Sequence, residues 1–265
     1  MSHLLRIMSL SIIAIALIAG VAVGQEAAQT EDCSAKAAAN RAIAELAAWN
    51  NKEAKTILKK AKGKYGSTPE FQTAWALLEI QEGAAKDPKK VDRGVKNLDK
   101  ATKKNTFDAV ASFFEGEILY QRDKRDEAKA AWKTAADRAA EMVALDKNDP
   151  TAQFYLGAAS IRLKNFGEAR KALKIALRKD FDAAMVHHQL GLSYLFQEQW
   201  SKAKKEFDKG LEVKERYAPM YFWRAMAWEK MGRKDNMLID LDQYIKLAPT
   251  GPEAGKARAV LASAG

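Results

Sequence analysis

The chain has 265 residues, a formal net charge of +10, 48% hydrophobic residues and 29% charged residues. These values are typical of a globular protein and exclude a disordered or fibrous chain. The 15 glycines and 6 prolines are few for this length, and runs rich in β-branched residues are almost absent outside residues 7–23. The composition therefore predicts a mostly helical protein with enough residues for one or two domains.

The first 24 residues differ from the rest of the chain. Arg6 provides a short basic region, residues 7–19 are apolar, and residues 22–24 read Ala-Val-Gly. This pattern predicts a cleaved secretory signal peptide. Residues 7–24 are also just long enough for an uncleaved membrane anchor. We favour cleavage, and both interpretations predict that the bulk of the chain is exported, either to the periplasm or out of the cell.

Residues 25–34 read as a short flexible lead, and they contain the only cysteine, Cys33. One cysteine cannot form an internal disulfide, so the fold is not cross-linked. We expect a free thiol at Cys33, with an intermolecular disulfide as the alternative.

Small residues recur along the chain at intervals of about 34 residues, the kind of period that marks repeat architectures. The stretch YLGAASIRL (155–163) returns as QLGLSYLFQ (189–197). The first small position is occupied by Ala42, Ala76, Gly116, Gly157, Gly191 and Ala225. The second is occupied by Ala54, Gly94, Ala128, Ala169, Ala203 and Met237, and the third by Ala61, Ala101, Ala135, Ala176, Gly210 and Tyr244. A larger apolar residue lies between the last two, as Leu58, Leu98, Trp132, Leu173, Phe207 and Leu241.

The spacing of these positions has a physical cause. Residues four and seven apart lie on one face of a helix. Two helices approach closely only where the side chains between them are small, and the larger residue fills the space beside the crossing. Each interval therefore predicts a helix, a turn, a second helix and another turn.

This pattern resembles the tetratricopeptide repeat (TPR) family, whose consensus is Trp-x2-Leu-Gly-x2-Tyr, then Ala-x3-Phe-x2-Ala, then Pro. Tyr194 falls at the consensus tyrosine, Gly232 at the glycine of the inter-helix turn and Pro249 at the terminating proline. The chain departs from the consensus at the tryptophan position, which holds Gln153, His187 and Tyr221. The third unit carries extra residues near 136–149, which predict a longer second helix.

The resemblance implies an all-α, right-handed α-solenoid of about six helix-turn-helix (TPR-like) repeats with a C-terminal capping helix. The units are expected at about 35–68, 69–108, 109–149, 150–183, 184–217 and 218–251, and the capping helix at 252–265. Pro252 suits the first turn of that helix, which would cover the apolar face of the last unit.

Sequence signatures of catalysis are absent: the chain has no GxSxG, P-loop, Gly-rich dinucleotide turn or HExxH motif. His187 and His188 are adjacent, so on a helix they point about 100° apart and cannot share a metal ion in the way that residues i and i+4 do. We predict no catalytic residues, no metal and no cofactor. An enzyme that uses unrecognised carboxylates stays as an alternative, and it would need a deep polar pocket.

The family resemblance implies a binding groove. In TPR proteins one face of each first helix lines the concave surface, and the fifth residue of the unit points into it. Here this position holds Phe113, Phe154, His188 and Phe222, with Tyr120 nearby. The implied function is a non-catalytic protein–protein interaction scaffold of the cell envelope or exterior, which binds a partner peptide or helix in this groove. Two alternatives stay open: the helical phase differs by one residue, or the superhelix closes over these positions.

Basic side chains form two stripes at helical spacing on the second helices of units one and two. They comprise Lys52, Lys55, Lys59, Lys62, Lys89, Arg93, Lys96, Lys100 and Lys103. The alternative function is therefore association with a polyanion or a membrane surface through the convex side. Nucleic acid is disfavoured, because no aromatic residues are interleaved with the basic ones. An ordinary lysine-rich solvated surface also fits the pattern, and the sequence indicates no oligomeric state.

Overall fold

The structure, a computed structural model, describes residues 35–84, 87–104 and 109–264. Within these ranges it contains thirteen α-helices and no β-strand. The helices are α1 Ala35–Ala47, α2 Asn51–Tyr65, α3 Pro69–Gly83, α4 Pro88–Lys104, α5 Ala109–Gln121, α6 Arg125–Leu145, α7 Pro150–Arg162, α8 Phe166–Arg178, α9 Ala183–Leu195, α10 Trp200–Val213, α11 Ala218–Lys230, α12 Lys234–Leu247 and α13 Ala254–Ala264. None of these helices is both long and apolar enough to cross a membrane. The expected signal peptide and the lead with Cys33 lie outside the described residues.

Consecutive helices pack as six pairs, and each pair stacks on the next. The pairs are α1–α2, α3–α4, α5–α6, α7–α8, α9–α10 and α11–α12, and α13 packs against α12. This arrangement confirms the predicted all-α solenoid of helix-turn-helix repeats with a C-terminal capping helix.

Side chains at the helix starts and turns define the repeat. The Asp149 carboxylate accepts hydrogen bonds from the backbone N–H groups of Thr151 at 2.8 Å and Ala152 at 3.0 Å, and so caps α7. Asp182 caps α9 in the same way, through the N–H of Met185 at 2.8 Å. Such caps satisfy N–H groups that have no partner within the helix.

The turns inside the fourth, fifth and sixth units share a left-handed residue. Lys164, Glu198 and Gly232 have φ values of 65°, 58° and 72°, and they follow one another at the repeat interval. Only the last of these is glycine, the residue that adopts this conformation without steric cost. The turn therefore keeps the same left-handed backbone geometry even in the units where its residue is not glycine.

The helices form two layers with different burial. Eleven of the thirteen residues of α7 are buried, whereas only four residues of its partner α8 are buried. The contrast recurs in the first two units, where α3 has nine buried residues and α2 has two, Ala54 and Leu58. The first helix of each pair thus belongs to an inner layer, and the second helix faces outward.

The glycines of the repeat lie where paired helices approach most closely. A Cβ atom on Gly191 would lie 2.3 Å from Cε1 of Phe207. A Cβ on Gly157 would lie 2.6 Å from Cγ of Leu173 and 3.0 Å from the carbonyl oxygen of Ala169. These distances leave no space for a side chain at either glycine. A large residue of the outer helix fills the space that such a side chain would occupy.

The sixth unit accommodates larger residues at two of its small positions. Met237 and Tyr244 are both buried. The Tyr244 hydroxyl accepts a hydrogen bond from the backbone N–H of Glu253 at 3.0 Å, and its ring lies 5.5 Å from that of Phe222. Tyr244 therefore connects the last repeat to the segment that leads into the capping helix.

The first unit of the array contacts the fifth unit. Glu45 of α1 forms an ion pair with Lys214, which follows α10, at 3.2 Å. Residues from both regions, including Trp49 and Pro249, surround a surface cavity of about 540 Å³. The superhelix thus curves enough for the first unit to contact the fifth and to share a cavity with the sixth.

Candidate functional site

Four of the five residues predicted to line an exposed groove are fully buried. Phe113, Phe154 and Phe222 have 0% exposure, and His188 has 1%. The prediction that these side chains form an open contact surface is therefore wrong. Two of them contact outer helices within the core: the ring of His188 lies 6.2 Å from that of Phe207 of α10, and the ring of Phe222 lies 5.5 Å from that of Tyr244 of α12. These residues therefore occupy core positions.

Aromatic residues from the turns between units account for part of this burial. The ring of Phe181 stacks on that of Phe154, with centroids 4.3 Å apart and planes 15° apart. Tyr217 lies at 5.3 Å from His188 in the corresponding place one unit later. Each of these two rings thus lies at the end of a unit and packs on the inner helix of that same unit.

A buried ion pair links the inner helices of the third and fourth units. Nε of Arg162 donates to Oε1 of Glu117 at 2.9 Å, and Nη2 donates to Oε2 at 3.2 Å. The two side chains are 1% and 0% exposed. The guanidinium also lies 5.6 Å from the ring centroid of Phe113. This geometry fixes the register of α7 on α5, because both carboxylate oxygens need their donors in so dry a position.

The two adjacent histidines have separate environments, as predicted. Nδ1 of His187 lies 2.7 Å from Oε2 of Glu206 on the outer helix of the same unit. His188 lies in the core, where burial and the nearby Arg162 charge lower its pKa to about 3. Neither ring nitrogen of His188 has a hydrogen-bond partner among the described residues. The structure therefore assigns His188 to packing in the neutral form.

Tyr120, the fifth predicted contact residue, has a different position. It is half-buried and lines a cavity of about 430 Å³ at the edge of the solenoid. The cavity is formed by the ends of the inner helices α5, α7 and α9, the turns that follow α7 and α9, and the first residues of α6 and α8. Its lining comprises Tyr120, Arg125, Asp126, Lys129, Trp132, Ile161, Arg162, Leu163, Lys164, Phe166, Leu195, Phe196 and Glu198.

Four of the thirteen residues that line this turn-edge cavity are aromatic. The rings of Tyr120 and Trp132 lie 5.5 Å apart with an interplanar angle of 41°, and Phe166 and Phe196 contribute two further rings. Burial raises the pKa of the Tyr120 hydroxyl above its ordinary value, so it stays protonated. A cavity of this size with apolar walls can hold a bulky apolar group.

The exposed charges of the cavity lining nearly cancel. Arg125, Lys129 and Lys164 are positive, Asp126 and Glu198 are negative, and Arg125 also pairs with Asp123 at 2.9 Å. The lining therefore favours a ligand by its shape and its apolar part more than by its net charge.

Sequence reasoning found Tyr120 but missed the rest of the cavity. Trp132 was assigned to the core, and it is indeed buried at 6% exposure, yet its ring also forms a wall. Phe166 and Phe196 flank the inter-helix turns, outside the positions that the repeat pattern constrains. The sequence feature that could have identified Phe166 and Phe196 is a large apolar side chain next to a turn.

The predicted basic stripes lie on the outer helices α2 and α4. Lys52, Lys59, Lys62, Lys89, Arg93, Lys96 and Lys100 are exposed, and Lys55 is half-buried. The side chain of Lys103 lies outside the described part of the structure. Two members pair with the inner helix α3: Lys55 with Glu82 at 2.8 Å and Arg93 with Glu79 at 3.1 Å.

The paired helices, the two layers and the close approach at small residues define a solenoid of the TPR type. A thermophilic TPR protein from Thermus thermophilus, TTC0263, superposes with a TM-score of 0.53 at 20% identity, over 73% of this chain and 98% of that chain. A chain of the APC/C hetero-tetramer Cut9-Hcn1 superposes with a TM-score of 0.52 at 16% identity, over 89% of this chain. This chain spans 44% of the length of that one.

At these low identities, the likeness shows the fold alone. No family model and no curated protein sequence matches the chain. Its function therefore has to be inferred from its own residues.

Proposed function

We propose that the protein is a non-catalytic scaffold that binds a partner protein at the turn-edge cavity of units three to five. The observation that carries the proposal is the aromatic lining of this 430 Å³ space. A bulky apolar side chain of a partner peptide enters it and packs between the rings of Tyr120, Trp132, Phe166 and Phe196. The few residues that dominate binding in protein interfaces are enriched in tryptophan and tyrosine and lie in well-packed pockets.

The position of the cavity supports this role. Its lining comes from three successive units, so their relative placement must be kept for the walls to remain together. The Glu117–Arg162 ion pair, whose arginine is one of the lining residues, holds α5 and α7 in register. A site built on such rigid helices loses little conformational entropy when it binds.

The proposed place of action is the cell envelope or the exterior. The apolar run at 7–19 and the small residues at 22–24 support export. Cell fractionation, combined with mass determination of the mature N-terminus, tests this part. A cytoplasmic product that retains residues 1–24 would contradict it.

Filling the cavity tests the proposed binding site. Leu163 is half-buried in the lining, so Leu163→Trp should occupy part of the space without removing a wall. Leu177 of α8 is also half-buried but lies away from the cavity, which makes Leu177→Trp the matched control. Peptides are first selected against the native protein by display and then titrated calorimetrically against all three proteins.

We expect the selected peptides to share a bulky aromatic or aliphatic residue. Leu163→Trp should weaken their binding at least about tenfold, a cost of about 1.4 kcal/mol, and Leu177→Trp should leave it unchanged. Equal binding by both variants, or selection of peptides without a common bulky residue, would contradict the proposal.

A further inference from the structure

The charge of the chain is concentrated on two outer helices. Helices α2 and α4 together contain thirteen Lys and Arg residues and three Asp and Glu residues. Their excess of ten positive charges equals the formal net charge of the whole chain, +10. The rest of the chain is therefore neutral on balance, and units one and two carry the net charge.

The two helices are neighbours on the same side of the array. Glu82 of the inner helix α3 lies between them and pairs with Lys55 of α2 and Lys90 of α4. Burial raises the pKa of the Glu82 carboxyl, but hydrogen bonds from these two lysines outweigh it, so the pKa is lowered and Glu82 is ionised. One inner carboxylate thus joins two basic helices into a single face.

Nearly half of the thirteen positive charges on this face have no acidic partner among the described residues. Six of its lysines are exposed with no ion pair to any described acidic residue: Lys52, Lys59, Lys60, Lys89, Lys96 and Lys100. A Cβ atom on Gly63 of α2 would have nothing within 4 Å, so the outer surface of this helix is open. Grouping like charges in this way opposes folding, which indicates that a partner offsets the repulsion.

The residue types on the face indicate what that partner is. Twelve of the thirteen cations are lysines, and Arg93 is the exception. Arginine presents a fixed fork for individual phosphate or carboxylate groups, whereas lysine is a flexible point charge that suits a diffuse anionic surface. The only aromatic residue in the two helices is Tyr65, which is half-buried, so the face lacks the stacking platform of a nucleic-acid site.

We infer that the outer face of α2 and α4 docks on a bilayer rich in anionic lipid headgroups. Helices of 15 and 17 residues spread their lysines over about 20–25 Å in length, which matches a plane better than a single linear polyanion. The face belongs to units one and two, whereas the turn-edge cavity belongs to units three to five. The protein can therefore lie on a membrane and still present the cavity to a partner.

Vesicle co-sedimentation tests the inference. The native protein should partition onto phosphatidylcholine vesicles that contain phosphatidylglycerol and not onto phosphatidylcholine alone. Binding should fall steeply as NaCl rises from about 0.1 M to about 1 M, because the Debye length decreases from about 10 Å to about 3 Å.

Matched variants test whether membrane binding depends on this face or only on the net positive charge of the protein. A quadruple variant of this face should lower the partition coefficient about 100-fold, since each lysine near an anionic surface contributes about 1 kcal/mol at most. It combines Lys52→Gln, Lys59→Gln, Lys96→Gln and Lys100→Gln. The control carries the same loss of charge at exposed lysines of later units: Lys133→Gln, Lys147→Gln, Lys174→Gln and Lys205→Gln. It should bind within about threefold of the native protein. Circular dichroism and urea unfolding verify that both variants fold.

Three results would overturn the inference. In one, the native protein does not bind anionic vesicles. In another, both quadruple variants lose binding equally. In the third, the protein binds soluble polyglutamate at salt concentrations at which it no longer binds anionic vesicles, which would assign the face to a linear polyanion. None of these results bears on the turn-edge cavity, so the two proposals fail separately.

Discussion

Glu117 and Arg162 form a two-point ion pair between the inner helices α5 and α7, with N–O distances of 2.9 Å and 3.2 Å and almost no exposure to solvent. Removal of one partner leaves the other charge buried and uncompensated. Arg162→Leu should therefore lower the free energy of unfolding by about 3–5 kcal/mol, measured by urea denaturation.

The double variant Glu117→Leu/Arg162→Leu is the control for this pair. Well-packed apolar side chains can replace a buried ion pair without loss of stability, so the double variant should unfold within about 1 kcal/mol of the native protein or above it. If it is as unstable as Arg162→Leu alone, the effect comes from lost packing and the role assigned to the charges is incorrect.

Gly191 marks the closest approach of α9 to the outer helix α10. Its substitution by alanine would place Cβ at 2.3 Å from Cε1 of Phe207, and the buried ring has no space into which to move. Gly191→Ala should cost about 1–3 kcal/mol of stability in thermal or urea unfolding. Gly167→Ala on α8 is the matched control, because a Cβ there contacts nothing within 4 Å. It should be neutral or stabilising by about 0.5 kcal/mol.

His188 should make the stability depend on pH. Its pKa is about 3 in the folded protein, against an ordinary value of 6.5, so in this range the unfolded chain binds the proton that the folded chain excludes. Stability should consequently fall as the pH decreases below about 6.5, with a slope of up to about 1.4 kcal/mol per pH unit from this group.

The variant His188→Phe isolates that contribution. Phenylalanine occupies the equivalent position in units three, four and six, as Phe113, Phe154 and Phe222. The variant should match or exceed the native stability at pH 7, because it removes two buried nitrogens that lack partners among the described residues. Its unfolding free energy should fall less steeply than that of the native protein between pH 6.5 and pH 4. Parallel curves for the two proteins would show that His188 does not carry the effect.

The inter-helix turns offer a test of backbone strain. Glu198 has a φ of 58°, and Gly232 has a φ of 72° at the same place one repeat later. A left-handed conformation costs a non-glycine residue about 1 kcal/mol. Glu198→Gly should therefore stabilise the protein by about 0.5–1 kcal/mol, and Gly232→Ala should destabilise it by about 1 kcal/mol. Melting temperatures of the two variants that shift in the same direction would contradict this assignment.

The sequence predicted the architecture because helix pairing requires small residues at regular intervals. Gly157 and Gly191 must be small for their helices to approach, and that requirement repeats with the structure. The residues of the candidate site follow no such periodic pattern. Glu117 and Arg162 are separated by 45 positions, and the turn-edge cavity takes its residues from three units.

The groove prediction failed for a related reason. Periodicity identified Phe154 as a recurring position of the inner helices, but it could not show what covers that position. The cover includes Phe181, which lies in a turn between units, where the repeat pattern sets no residue type. The curvature of the whole array is likewise the sum of many small rotations between units, and no short stretch of sequence specifies it.

The contact between Glu45 and Lys214 changes how the molecule should respond to a pulling force. When an open solenoid is pulled, it first extends elastically, and its units then separate one after another from a free end. Here the first unit is joined to the fifth, so extension of these five units must first break this contact, and the units between them share the force until then. The expected signature in a single-molecule pulling experiment is an initial force peak that disappears in Glu45→Gln, followed by the ordinary stepwise unfolding of the repeats.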